Sequence, residues 1–473
     1  DYVFSLLTSV AWKDTGSVFA VLEAAVRNTV GIRQTWEGTY ATSFISTFQP
    51  AIFGDSMYWL TTFALLTIFL LAVWFFLRQT LRGTFGAQRS TVVTAFAVLG
   101  FVMVQFVPDA AEAFYWFNGG VAYTLLWSVM LFTAGVWIVF ERTETRGRSV
   151  ALYIALVLLT VTVGGAKYST VLFAMLLAGC FTAWAFRMRR PKRWAYLSLT
   201  LLLMVCFAFS AMAAGNGVRA QTLSGGMSAP KAIAEAVYFG VALMGHFFSL
   251  PLLAALLLLI PLMTPALRQC PWRFAHPVWV TLLAACLFCA QLTPTLYTGN
   301  YLGDGRVMNT YYYTYVLTLA HLTVYWTGFA LRRREGKLAL AGIALPAPTA
   351  EKRLKAATLA LVACMLVLGC VAYHPDGSLS YGPQNMAGGS ALRSIMSGEA
   401  AAYDDAMDAR DAQLNDPTLT DVTLSPIDGA PASFMGDALD SDNLEYVLNL
   451  YADYYDKASV SVAETEEIHA ASE

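Results

Sequence analysis

The strongest constraint in this chain is a succession of long apolar runs almost free of charge. The run WSVMLFTAGVWIVF, residues 127–140, has no ionisable side chain and several β-branched or aromatic residues. A helix needs about 20 such residues to cross a hydrocarbon core roughly 30 Å thick. Ten segments qualify: 57–77, 91–107, 120–140, 149–165, 170–186, 195–213, 237–263, 277–296, 310–331 and 354–373. Of the 473 residues, 57% are hydrophobic and only 13% are charged. One soluble core cannot hide that much apolar surface, so a soluble enzyme, a disordered chain and a collagen-like fibre are excluded. The expected fold is an all-α polytopic membrane protein.

Charge then sets the direction. The loops between spans alternate. Basic ones hold Arg78/Arg82/Arg89, Arg142/Arg146/Arg148, Arg187/Arg189/Arg190/Lys192/Arg193, Arg268/Arg273 and Arg332/Arg333/Arg334/Lys337. The others hold Asp109/Glu112, Lys167, Arg219 and Asp304/Arg306. Positive charge stays on the cytoplasmic side, so the second set and both ends of the chain are expected outside. An outside start calls for one more span upstream of Asp1, eleven in the complete protein. The overall charge of −2 hides two regions. Residues 1–373 carry 27 Lys and Arg against 13 Asp and Glu; residues 374–473 carry 3 against 19.

Three regions follow: a first exterior loop, 1–56; a helical bundle, 57–373; and an acidic exterior tail, 374–473. In the loop, SVFAVLEAAVRNTVGIRQTW (17–36) puts Val18, Val21, Leu22, Ala25 and Val26 on one face and the pair Glu23/Arg27 on another. That pattern predicts an interfacial amphipathic helix. In the tail, residues 390–414 and 442–460 have helical composition and DVTLSPI (421–427) alternates like a strand. A small ordered α/β unit is expected there, loose beyond about residue 460. Its acidity is adequately explained by solvation. None of the seven cysteines lies in the tail, and the CxxC of Cys286 and Cys289 sits inside an apolar run. The expectation is packing, not disulfides.

Polar groups at the outer mouths of the spans are the candidates for chemistry. Asp1 reads as a cap or as a functional carboxylate. Arg33, with Trp36 and Tyr40 in RQTWEGTY, either anchors the chain or binds phosphate. Glu112, Tyr115, Trp116 and Asn118 stand at the entrance of a span beside Gly119 and Gly120, as an aromatic belt or as a substrate contact. Lys167 either snorkels to headgroups or adds charge to an anion site. GNGVR (215–219) contributes Asn216 and Arg219, and TPTLYTGNYLGDGRVMN (293–309) contributes Tyr297 and Arg306. Two glycine-flanked arginines on one membrane face suggest a shared phosphate. His246, inside an apolar run, is a functional candidate or a helix–helix hydrogen-bonding group. No GxxxxGKS, HExxH, GxSxG or zinc-finger spacing occurs, which argues against an ATP-driven pump, a zinc protease and a serine hydrolase.

An outside Asp after a first span, a long exterior loop with interfacial helices and about eleven spans together resemble the GT-C superfamily of polyprenyl-phosphate-dependent glycosyltransferases. EAFYWFNGGVAYTL, GNGVR, GDGRVMN and the tail pattern SGEAAAY…LEYVLNLYADYYDKASV resemble, more closely, a bacterial family of polytopic proteins grouped with them. The resemblance implies a GT-C-like bundle in the bacterial cytoplasmic membrane. Its implied reaction is inverting transfer of a sugar from a polyprenyl-phosphate donor to an envelope glycan, teichoic acid or glycolipid. Asp1 takes the place of the general base. Arg219, Arg306 and Arg33 take the place of donor-phosphate ligands, and Glu112, Trp116, Asn118, Lys167, Asn216 and Tyr297 line the substrate site. No cofactor is called for. Related proteins often carry His-Glu where this chain has Lys167-Tyr168, so the resemblance supplies no metal ligand there. Two other readings stand: a transporter or flippase of a lipid-linked saccharide, and a non-catalytic scaffold.

Overall fold

The computed structural model describes residues 2–222, 226–299, 302–340, 351–373, 378–427, 429–431, 434, 436–441 and 443–463. The chain is a polytopic helical membrane protein with a small α/β unit at its C-terminal end. Three helices come first: α1 (Tyr2–Thr15), α2 (Val18–Thr35) and α3 (Tyr40–Ser46). α4 (Leu60–Leu77) runs on through a wider π-helical turn at Arg78–Thr84, and α5 (Arg89–Gln105) returns. The short α6 (Phe117–Gly119) and α7 (Leu126–Arg142) join through a π-helical turn, Gly120–Leu125, into one span. Next come α8 (Arg146–Gly164), α9 (Tyr168–Arg187), α10 (Arg193–Ala211) and the short α11 (Ala214–Thr222). They are followed by α12 (Ala229–His246), α13 (Leu250–Gln269), α14 (Pro277–Ala290), α15 (Thr293–Thr298), α16 (Gly305–Leu340) and α17 (Glu351–Gly369).

Among the described residues, seven helical segments are long and apolar enough to cross a membrane: Asp55–Thr84, Phe117–Arg142, Arg146–Gly164, Tyr168–Arg187, Arg193–Ala211, Leu250–Gln269 and Pro277–Thr298. Arg89–Gln105 and Ala356–Gly369 are shorter apolar helices. The run 310–331 lies within α16, where the Tyr- and Thr-rich start YYYTY dilutes its apolar character. The run 237–263 is not one helix. It breaks between His246 and Leu250, where Pro251 opens α13 and the Ser249 hydroxyl accepts the Leu252 N–H. A proline lacks the N–H that would continue the ladder, and it disfavours helix in the residue before it. His246 therefore ends a helix, exposed, with its ring against Phe247.

Aromatic packing holds the centre together. Phe69, Trp127 and Tyr313 are fully buried, with ring centroids 4.6–5.8 Å apart. Trp127 Nε1 donates to Thr314 Oγ1 at 3.0 Å, and Thr314 donates to Gln291 Oε1 at 3.2 Å. Polar groups at this depth have only each other for partners.

The loops segregate by end. At one end the basic loops cap helices: Lys192 donates to the Phe140 and Thr143 carbonyls, and Arg332 to those of Leu267, Arg268 and Cys270. Residues 1–56 and the tail meet at the other. The tail comprises an antiparallel pair β1 (Val371–Tyr373) and β2 (Leu379–Tyr381), then α18 (Ala387–Ser397), α19 (Glu399–Asn415), β3 (Asp421–Leu424), α20 (Leu444–Tyr455) and β4 (Ser459–Val462). The helical stretch 390–414 is interrupted by Gly398, whose φ of +82° suits glycine. β3 and β4 pair in parallel, Asp421 opposite Ser459, so order extends past residue 460; residues 464–473 lie outside the described residues. Arg410 donates to both oxygens of Asp437, at 2.6 and 2.7 Å, inside this unit. Its apolar core also takes in Tyr2 and Leu6 of α1, so the first helix seats the tail.

The face expected on α2 is divided. Val21, Ala24, Ala25 and Ile32 are buried, while Val18, Phe19, Leu22, Val26 and Val30 point outward. α1, α3 and α11 pack against α2, and Asn28 Nδ2 donates to the Phe4 carbonyl of α1 at 2.6 Å. All seven cysteines are free.

Candidate functional site

The turn after α2 carries the site's first acid. Trp36 closes α2 through its N–H to the Ile32 carbonyl, and Glu37 follows at 2% exposure. Burying a carboxylate is costly unless opposite charge and donors meet it. Here Lys167 Nζ donates to both carboxylate oxygens at 2.7 Å. Arg219 Nη1 donates to Oε2 at 3.0 Å and Thr39 Oγ1 to Oε1 at 2.8 Å. Burial alone would raise the carboxyl's pKa; Lys167 and Arg219 outweigh it and hold it below 4.5.

Three loops converge to make this possible. Gly165 accepts the N–H groups of Ala41 and Thr42, which ties the α8–α9 turn bearing Lys167 to α3. Asn216 works as a brace: its Oδ1 accepts the Gly38 N–H at 3.1 Å, and its Nδ2 donates to the Ser210 and Ala211 carbonyls. Tyr168 OH donates to Asn216 Oδ1 as well. The approach is too close for side chains. A Cβ on Gly38 would lie 1.8 Å from the Ser210 oxygen, and one on Gly215 would lie 2.5 Å from the Trp36 nitrogen. Arg33 donates to the Phe209 carbonyl at 2.7 Å and lies 3.6 Å over the Phe209 ring. Trp36 flanks Arg219, 5.2 Å from ring centroid to guanidinium.

A second cluster forms where α16 begins. Arg306 donates from its backbone and from Nη1 to the two oxygens of Glu112, and from Nη2 to Asp304. Glu112 lies in a π-helical turn, Ala111–Tyr115, whose entry is fixed by Asp109 Oδ1 accepting the Glu112 N–H at 2.8 Å. Asn309 pairs with the Asp109 backbone through both its donor and its acceptor. Trp116 lies 5.1 Å from the Arg306 guanidinium. Tyr123 stands between the clusters, its ring 5.9 Å from Lys167 Nζ and within electrostatic reach of Glu37, Arg219, Arg306 and Asp304.

The two clusters differ in sign. Lys167 and Arg219 face one acid, Glu37, for a net excess of positive charge. Arg306 faces Glu112 and Asp304, for a net excess of negative charge. Such a pair sets a positive field beside a negative one. Deeper in the bundle, an apolar cleft of about 230 Å³ lies among α4, α7, α8, α9 and α10, lined by Phe76, Trp137, Val163, Ala174 and Phe181.

The expected site residues are thus distributed. Lys167, Asn216 and Arg219 come together around Glu37, Arg33 packs on Phe209 instead, and Glu112 and Trp116 gather around Arg306. Lys167 does not snorkel; it is spent on a buried ion pair. Arg219 and Arg306 each hold a carboxylate of the chain itself. Asn118 is buried in α6, whereas Tyr297 is exposed on α15. Asp1 lies outside the described residues. Glu37 is the residue that reading the sequence passed over. Its signal was an acid between Trp36 and Gly38 in the motif RQTWEGTY. Among the described residues, no group of three His, Cys, Asp or Glu side chains is placed to hold a metal ion. A scan against protein-family models and searches of curated proteins and solved structures return no match to this chain.

Proposed function

We propose that this protein is an inverting glycosyltransferase that takes a sugar from a polyprenyl-phosphate donor on the outer membrane face. In this reading the bundle is GT-C-like, with ten spans in the chain. The observation that carries the proposal is the positive pair of Lys167 and Arg219 at the mouth of helices whose deeper turns line an apolar cleft. A phosphate on a hydrocarbon chain matches both parts: the chain enters the cleft sideways from the bilayer, and the headgroup meets the cations. The acidic cluster alongside suits sugar hydroxyls.

The chemistry is simple. An acceptor hydroxyl oxygen attacks the anomeric carbon as the bond from that carbon to the phosphate oxygen breaks. The phosphate leaves with the bonding electron pair, and the hydroxyl proton passes to a carboxylate. Arginines offset the charge gained by the leaving group. Asp1 is the proposed base, a role worth roughly 10²–10⁴-fold. Glu37 is unsuited to it, because both its oxygens already accept from cationic donors. Its part is to hold Lys167 and Arg219 in place.

The test uses the full chain in proteoliposomes with polyprenyl-phosphate sugars, following release of polyprenyl phosphate. Arg219→Ala, Arg306→Ala and Asp1→Asn should each lower release by about 100-fold or more. Lipid-linked sugar crossing the bilayer without release would replace this reading with a flippase. Full release in all three variants would reject the site.

A further inference from the structure

The tail contains a cleft of about 420 Å³ that the transferase reading leaves unused. One wall is a stripe along α19, where Glu399, Tyr403, Arg410 and Gln413 recur at helical spacing; Ser425 and Ile427 stand opposite. Ala402, Ala406 and Ala409 keep the helix surface low between the longer side chains and so give the cleft its depth. We infer that this cleft binds a saccharide without anionic groups and serves as the acceptor site of the transfer.

Three observations point to that ligand class. First, the lining combines a flat ring with groups that suit hydroxyls: the Gln413 amide gives and accepts, the Ser425 hydroxyl does both, and Glu399 accepts. The buried Arg410 commits both terminal nitrogens to Asp437 and Ser425 and so ties the two walls together. Second, the ring is held firmly. Tyr403 stacks on Phe434 with centroids 5.8 Å apart and planes at 25°. Rigid aromatic faces bind at low entropic cost. Third, residues 374–473 carry 19 acidic side chains against 3 basic ones, a field that repels anions. The size is right for a small sugar ligand, since such sites span about 300–1,000 Å³.

Position gives the cleft its role. Phe434 meets Tyr115 edge-on, with centroids 5.2 Å apart, and Tyr115 adjoins Trp116 beside Arg306. The far end of α19 is pinned by Asn415 donating to Asp55 at 3.0 Å. The cleft is thereby attached to the acidic cluster, where an incoming hydroxyl is needed. The word acceptor rests on the transferase reading; saccharide binding does not.

The test titrates the full chain in lipid nanodiscs, free of glycoside detergent, by calorimetry and saturation-transfer NMR. The probes are cellobiose, chitobiose and mannobiose, with digalacturonate as the anionic comparison. At least one neutral disaccharide should saturate below about 20 mM, and digalacturonate should bind about tenfold more weakly or worse. Tyr403→Ala and Gln413→Ala should each weaken the neutral ligand by about tenfold, and the exposed Glu23→Gln should leave it unchanged. Should Tyr403→Ala loosen the tail, the exposed Gln413 decides. No saturable binding, equal binding of digalacturonate, or binding unaffected by Gln413→Ala would overturn the proposal. Binding with no release of polyprenyl phosphate from any donor would overturn the transferase reading and leave the saccharide site supported.

Discussion

Replacing Glu37 by Gln keeps the shape of the buried carboxylate and removes its charge. Four hydrogen bonds end on that group, three from cationic nitrogens. The change strands the Lys167 ammonium, only 17% exposed, next to Arg219 with no counter-charge. Breaking a buried ion pair from one side costs about 3–5 kcal/mol. The lower end applies here, because the Arg219 side chain is 35% exposed and water screens its share. For a chain of this size, about 3 kcal/mol lowers Tm by several degrees. The control is Glu23→Gln. Its partner Arg27 and Glu23 itself are 70% and 75% exposed, so that pair is worth about 0.5 kcal/mol at most. Thermal unfolding followed by size-exclusion retention should separate the two variants clearly. Glu37→Gln combined with Lys167→Met removes the stranded charge and should recover more than half the loss. A Glu37→Gln variant melting with the Glu23→Gln control would refute the claim that this carboxylate organises the cluster. So would a double variant no better than the single one.

Two further predictions concern the seams between parts. Gly38→Ala and Gly215→Ala should each cost about 1–3 kcal/mol or more, read as lower Tm and yield, because a Cβ meets backbone atoms across the seam. Gly217→Ala, with nothing within 4 Å of its Cβ, should be nearly neutral; equal effects in all three would remove the steric argument. The second prediction is that tail docking depends on pH. Burial, then Asp55 and Asp408, push the Asp411 carboxyl up to about 6 from 3.8. The docked state therefore binds this proton more tightly than the undocked one, so docking strengthens as pH falls from about 7 towards 4 and weakens as pH rises through 6. Hydrogen exchange in α19 and α20 should report that trend in the natural protein and lose it in Asp411→Asn. The same slope in both would assign the effect elsewhere.

Much of the bundle was legible in the order of residues, because lipid imposes a length and a composition on each crossing helix and basic loops mark one side. The break in the run 237–263 shows where that reading stops. Hydrophobicity is continuous across it, yet Ser249 and Pro251 end one helix and begin the next through backbone hydrogen bonding. The strand DVTLSPI could be seen, but β4 could not, since its hydrogen-bonding partner β3 lies some 38 residues away. α2 announced its amphipathic character, while the choice of which side to bury fell to α1, α3 and α11 packed against it.

The candidate site divides the same way. Chain order alone determined that Arg33, Glu112, Lys167, Arg219 and Arg306 sit at the mouths of helices, where charge is tolerated and glycine lets the backbone come close. It could not say that Lys167 and Arg219 share Glu37, respectively 130 and 182 residues away, or that Arg306 closes on Glu112. Hydropathy is a property of neighbours along the chain and so survives in the sequence. Charge pairing depends on distance in space, and only the packed helices set that distance.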